Sequence, residues 1–120
     1  MNNMVEELVE KVFAARNEAH IAHWATKSYA EHVALNEFYD NIIDLIDKLV
    51  EAYQGCYGLI HVTKLEADLE KDILYWLNED VKWIAENREE ISGGVRSLEN
   101  IIDEISDQYL TTIYKLENLS

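Results

Sequence analysis

Proline is missing from the 120 residues, glycine occurs four times and cysteine once. Without proline nothing in the chain forbids long uninterrupted helices, and a composition that is 48% hydrophobic describes a folded, helical protein, not a disordered acidic tail. The lone Cys56 excludes an internal disulfide and fits a reducing compartment. Basic residues are scarce, 10 against 24 acidic ones for a net charge of −14, and they form no block. Phosphate neutralisation needs clustered Lys and Arg, so nucleic acid and anionic membrane surfaces are disfavoured as partners, whereas cationic partners or metal ions are favoured. No apolar run approaches membrane-spanning length, and Glu6 and Glu7 stand where a signal peptide needs an uncharged core. These absences predict a cytoplasmic protein.

What is present reads as one domain over residues 1–120, near the lower size at which burial offsets chain entropy, so that a partner subunit is a natural source of extra burial. Val5, Leu8, Val9, Val12 and Phe13 repeat at helical spacing, and Ala19, His20, His23 and Trp24 continue the stripe. A second stripe runs through Leu35, Phe38, Tyr39, Ile42, Leu45, Ile46, Leu49 and Tyr53, up to Gly55. No Gly or Pro separates the two, and one helix from about residue 3 to 54 would be ~75 Å long. "SYAE" argues for a break: Ser28 can accept from the Glu31 amide while the Glu31 carboxylate reaches back, a capping box that ends the first helix near Thr26. "TKLE" repeats the signature at Thr63 and Glu66 and predicts a third helix carrying Leu65, Leu69, Ile73, Trp76, Leu77, Val81 and Ile84, which "SGG" at Ser92 to Gly94 ends. A fourth begins at about Leu98 and runs through Ile101, Ile102, Ile105, Tyr109, Ile113 and Leu116. The expected fold is an all-α four-helix bundle, in which "QGCYGLIHV" is long enough to cross toward the other end between helices two and three.

A di-iron bundle of the common kind carries Glu-x-x-His on two helices, and none of His20, His23, His32 or His61 has a Glu three residues before it. The second helix instead carries a polar stripe, His32, Asn36, Asp40, Asp47 and Glu51, within an arc of ~100° that lies well round from the apolar stripe. Such a stripe faces away from its own core. His32 and Asp47 are fifteen positions apart, ~22 Å along a helix, too far for one ion. Two antiparallel copies with a two-fold axis near Tyr39 to Ile43 would set His32 of one opposite Asp47 and Glu51 of the other.

From His23 and Trp24 through His32, Asp47, Glu51 and Gly55, the segment resembles the signature of the Dps-like miniferritins. More closely still, "HWATKSYAEH", "EFYDNIIDLID" and "EAYQG" resemble a group of small uncharacterised tailed-phage proteins related to that family. The resemblance implies a ferritin-like bundle that oxidises iron at sites shared by two-fold-related subunits. Its metal ligands would be His23 and His32 from one subunit with Asp47 and Glu51 from the other. It further implies Fe as the metal, Zn or Mn as substitutes, a homodimer or larger homo-oligomer through helix two, and host cytoplasm as the location of a phage-encoded chain. Three features depart from the pattern: the link from His23 to His32 is about three residues short, Asn36 replaces an acid that many members carry, and a lysine-rich tail is missing. If the short link points His23 away from His32, the metal site is lost, and an acidic protein-interaction or host-modulating module becomes the alternative function. His20 reads as a partly buried histidine with backbone partners, Trp24, Trp76 and Trp83 as packing anchors, and Cys56 and His61 as structural, since "YGLI" between them fits no zinc spacing.

Overall fold

The computed structural model describes residues 4–62 and 71–119 and contains four helices, α1 (Met4–Ala25), α2 (Tyr29–Tyr57), α3 (Ile73–Ser92) and α4 (Arg96–Asn118). Each buries one stripe. Val5, Leu8, Val9, Val12, Ala15 and Ala19 from α1 meet Leu35, Phe38, Ile42, Ile46 and Leu49 from α2, Leu77, Ile84 and Ile91 from α3, and Leu98, Ile102, Ile105 and Tyr109 from α4 in one core. At ~1.5–3 kcal/mol for each large side chain withdrawn from water, this core is what opposes the entropy of ordering the chain.

The break between α1 and α2 falls at Ser28, whose hydroxyl oxygen accepts from the Glu31 amide at 3.2 Å. The returning half of the capping box is relayed. The Ser28 amide donates to the Thr26 hydroxyl at 3.2 Å, and that hydroxyl donates to the Glu31 carboxylate at 3.5 Å. Three other boundaries differ from the sequence reading. Gly55 lies inside α2, which ends only where Gly58 takes φ 105°, because a glycine in a helix costs about 1 kcal/mol but does not by itself stop it. The helix that carries Trp76 and Ile84 begins at Ile73, with Asp72 accepting from the Tyr75 amide at 3.0 Å; the "TKLE" stretch, residues 63–66, and Leu69 lie outside the described residues. α4 starts at Arg96, two residues before Leu98 and without a side-chain cap. The "SGG" ending holds: Gly93 closes α3 in the left-handed region at φ 67°.

Neighbours are α1 with α2 and α3, and α4 with α2 and α3, so α2 and α3 are diagonal. Lys115 to Glu37 at 2.6 Å and Lys48 to Glu104 at 3.3 Å set α4 antiparallel to α2. Arg88 donates two bonds to the Asp103 carboxylate, at 2.6 and 2.9 Å, and sets α4 antiparallel to α3. The Tyr57 hydroxyl, at the end of α2, donates to the Ser92 carbonyl, at the end of α3, at 3.1 Å. The two diagonal helices are therefore parallel, so the end of α2 and the start of α3 lie at opposite ends of the bundle, ~30 Å apart for a helix as long as α3. One long crossover between the second and third helices is the connectivity of ferritin-like bundles. Among the described residues no helix is long and apolar enough to cross a membrane.

Candidate functional site

The corner between α1 and α2 is closed by two histidines. His23 lies in the last turn of α1, where carbonyls have no amide of their own helix to accept from. Its carbonyl lies 2.9 Å from His32 Nδ1, and the His32 carbonyl lies 2.7 Å from His23 Nδ1. Both acceptors are carbonyl oxygens, so both Nδ1 atoms carry the proton, and in the neutral rings Nε2 holds the remaining lone pair. The rings stack with centroids 3.6 Å apart and planes 20° from parallel. Tethering Nδ1–H to a backbone carbonyl is how metal-binding histidines are commonly oriented. An imidazole holds an ion in its own plane, however, and two nearly parallel planes do not converge on one ion beside the rings. In this arrangement His23 and His32 would serve separate ions, or one ring would turn.

The short link therefore leaves the two histidines together, His23 buried and His32 exposed. The polar stripe of α2 faces outward as its phase requires: Asp40, Asp47 and Glu51 are exposed and Asn36 is half-buried. Within the chain Asp47 and Glu51 remain far along α2 from the histidines, and among the described residues no three His, Cys, Asp or Glu side chains come together to hold an ion.

Around the histidines is a shell of rings. Tyr39 stacks on His20 at 4.0 Å and 15°, and His20 lies 4.5 Å from Trp24. The Tyr39 hydroxyl donates to Asn36 at 2.6 Å, and the Asn36 amide donates to Asp40 at 3.2 Å, so Asn36 links the buried aromatic to the acidic stripe. Trp24 does not anchor the core; it is 70% exposed, because His23 takes the inward position and the next residue points ~100° away. Cys56 is exposed in the last turn of α2, and the His61 amide donates to Glu6 at 2.7 Å.

Sequence reasoning missed a second group, in the core. Asp80 of α3 is 5% exposed and accepts from the fully buried Tyr109 hydroxyl at 2.9 Å. Loss of water raises its pKa from 3.8 to about 6, against the opposing pull of the Tyr109 hydrogen bond and Lys11. Burial likewise pushes the Tyr109 hydroxyl well above its ordinary value, with the charges of Asp80 and Glu18 acting in the same direction. Glu18 of α1 is also 5% exposed. The signal was available: Asp80 stands three residues after Leu77 and four before Ile84, inside the apolar stripe of α3.

Residues 23–116 match the model of a family of unknown function (DUF5856), and the chain belongs to that family. The matched stretch contains all four candidate ligands. A relative in Enterobacteria phage T4, an uncharacterised 14.6 kDa protein from the mobD-ri intergenic region, is 42% identical over 53 residues, 44% of this chain and 41% of the relative. The chain thus spans about two fifths of the length of the curated relative it matches. The expected likeness to small phage proteins is met by this relative, whereas neither comparison names a ferritin-like family. No solved structure matches.

Proposed function

We propose that this member of a family of unknown function binds and oxidises ferrous iron at a site shared by two copies of the chain, as the resemblance to Dps-like miniferritins implies. The observation that carries the reading is His32, exposed at the start of the outward stripe of α2 and tethered through Nδ1 to the His23 carbonyl, which leaves its Nε2 lone pair for an ion; His23 joins the same ion only if its stacked ring turns. Asp47 and Glu51, one turn apart on the outward stripe of α2, supply the oxygen donors that a second, antiparallel copy would bring to that corner. Imidazole suits ferrous iron and carboxylates suit the ferric product, so a mixed set favours loss of the electron. Each ferrous ion gives up one electron; hydrogen peroxide takes two, and with two protons leaves as water.

Anaerobic titration with Fe²⁺, followed by absorbance on adding peroxide, tests the reading. The paired change Asp47→Asn and Glu51→Gln removes two charges and keeps shape, and it should abolish binding and oxidation while the helical circular dichroism is unchanged. Oxidation at the wild-type rate by that variant, or a wild type that binds none of Fe²⁺, Zn²⁺ and Mn²⁺, sinks the proposal.

The second reading is an acidic protein-interaction or host-modulating module. It is favoured by Trp24 and Tyr29, 70% and 81% exposed at the same corner, since aromatic side chains in water are common anchors of protein contacts. Under this reading Trp24→Ala abolishes capture of a host protein, and metal chelation does not.

A further inference from the structure

α3 is held unevenly along its length. Its last turns are pinned to the rest of the bundle: Arg88 donates two bonds to Asp103, at 2.6 and 2.9 Å, and stands 3.5 Å from Glu99, while the Ser92 carbonyl accepts the Tyr57 hydroxyl at 3.1 Å. Three residues, 93–95, then lead into α4. The first half, residues 73–83, instead places Asp80 in the core one turn after Leu77. Asp80 is 5% exposed and accepts from the fully buried Tyr109 hydroxyl of α4 at 2.9 Å. The bond that joins this half of α3 to α4 therefore ends on an ionisable acceptor.

The groups that face Asp80 come from both helices packed on α3. From α1, the charge of Lys11 favours the carboxylate, and the charge of Glu18 acts on the Tyr109 hydroxyl; from α4, the Tyr109 hydrogen bond favours the carboxylate; within α3, Glu79 opposes it. Burial outweighs the favourable contacts. A proton on Asp80 removes the charge and keeps the bond, since a neutral carboxyl still has an oxygen to accept from Tyr109. Without that proton a carboxylate is held away from water, and outward movement of the first half of α3 returns it to solvent.

We propose that α3 carries a proton latch: its first half stays docked while Asp80 is protonated and opens toward solvent, hinged on the pinned last turns, when Asp80 is ionised. The opening is local and uncovers Leu77 and Tyr109. It depends neither on iron nor on a second copy. Asp80 has a pKa of about 6 in the closed chain against 3.8 in water, so the closed state loses stability as pH rises through about 6. Those two values make the open state roughly tenfold more favoured at pH 7.5 than at pH 5.

Hydrogen exchange of the full chain, corrected for the intrinsic effect of pH and followed in increasing sub-denaturing urea, tests the latch. At pH 7.5 the amides of residues 76–83 should exchange faster than those of α2 and α4 and with little dependence on urea, the mark of an opening that exposes little surface. Their protection should be roughly tenfold higher at pH 5. Asp80→Asn keeps every other titratable group and should flatten that pH dependence. Tyr109→Phe takes away the bond that favours the charged form and should enlarge it. Exchange of residues 76–83 with the urea dependence of the whole bundle overturns the latch, because α3 then moves only when the bundle unfolds. So does equal protection at both pH values, or an Asp80→Asn variant that keeps the pH dependence of the wild type.

Discussion

Asp80 has lost most of its water, and the Tyr109 hydroxyl replaces only part of it. Its pKa rises from 3.8 to about 6, so the folded state holds the proton more tightly than the unfolded chain does. The resulting stability is fully present below pH ~3.8 and is lost as pH rises through about 6. Two pKa steps correspond to roughly 3 kcal/mol. Asparagine cannot ionise and can still accept from Tyr109, so Asp80→Asn should raise the unfolding free energy at pH 8 by up to roughly that amount, read as a higher urea midpoint, and do little near pH 4. Equal midpoint shifts at both values would mean that the charge of Asp80 is not what strains the core. The histidine corner has the opposite balance: each Nδ1 finds a carbonyl, and each ring buries a face on the other. A polar group in the core is thus strained at Asp80 and satisfied at His23, although both stand on helical stripes that look alike in the sequence.

At the scale of the helix, what was legible is what depends on side chains a few residues apart. Ser28 and Glu31 announce the end of α1 and the start of α2, and Ser28→Ala should cost about 1 kcal/mol, read as a shift in the urea midpoint, because it leaves the Glu31 amide without its acceptor. No loss of stability would mean that water or Thr26 takes over the cap. Asp72 was harder to see, since Tyr75 follows it where a capping box needs Glu or Gln. Gly55 and Gly58 are alike as letters, and only the backbone angle at Gly58 marks the end of α2. The candidate ligands were legible as spacing along one helix, His32 to Asp47 to Glu51, helped by the resemblance. The Asp80 and Tyr109 pair was not, because 29 residues and a change of helix separate its members, and no local rule connects them.

For the whole molecule, the net charge of −14 and the proposed two-fold pairing are in tension. An antiparallel contact along the outward stripe of α2 gathers Asp40, Asp44, Asp47 and Glu51 from both copies, all exposed in the single chain. Their repulsion acts over a Debye length of ~10 Å at 0.1 M salt, so it opposes association most at low ionic strength. A divalent ion held between His32 of one copy and Asp47 and Glu51 of the other would reverse that repulsion. Binding that only the dimer can complete must strengthen the dimer by the same free energy. Light scattering across a concentration series should therefore find association weakest in chelator at low salt and markedly stronger with Mn²⁺ or anaerobic Fe²⁺. The paired change Asp47→Asn and Glu51→Gln separates the two contributions. It removes like charges from the contact and so should raise association in chelator, yet it should leave no response to metal. A chain that stays monomeric at high concentration with metal present rules out the shared site. A dimer whose strength is indifferent to metal, in wild type and variant alike, would mean that the copies pair without the stripe binding an ion, and the exposed aromatics of the α1–α2 corner would be the better place to look for function.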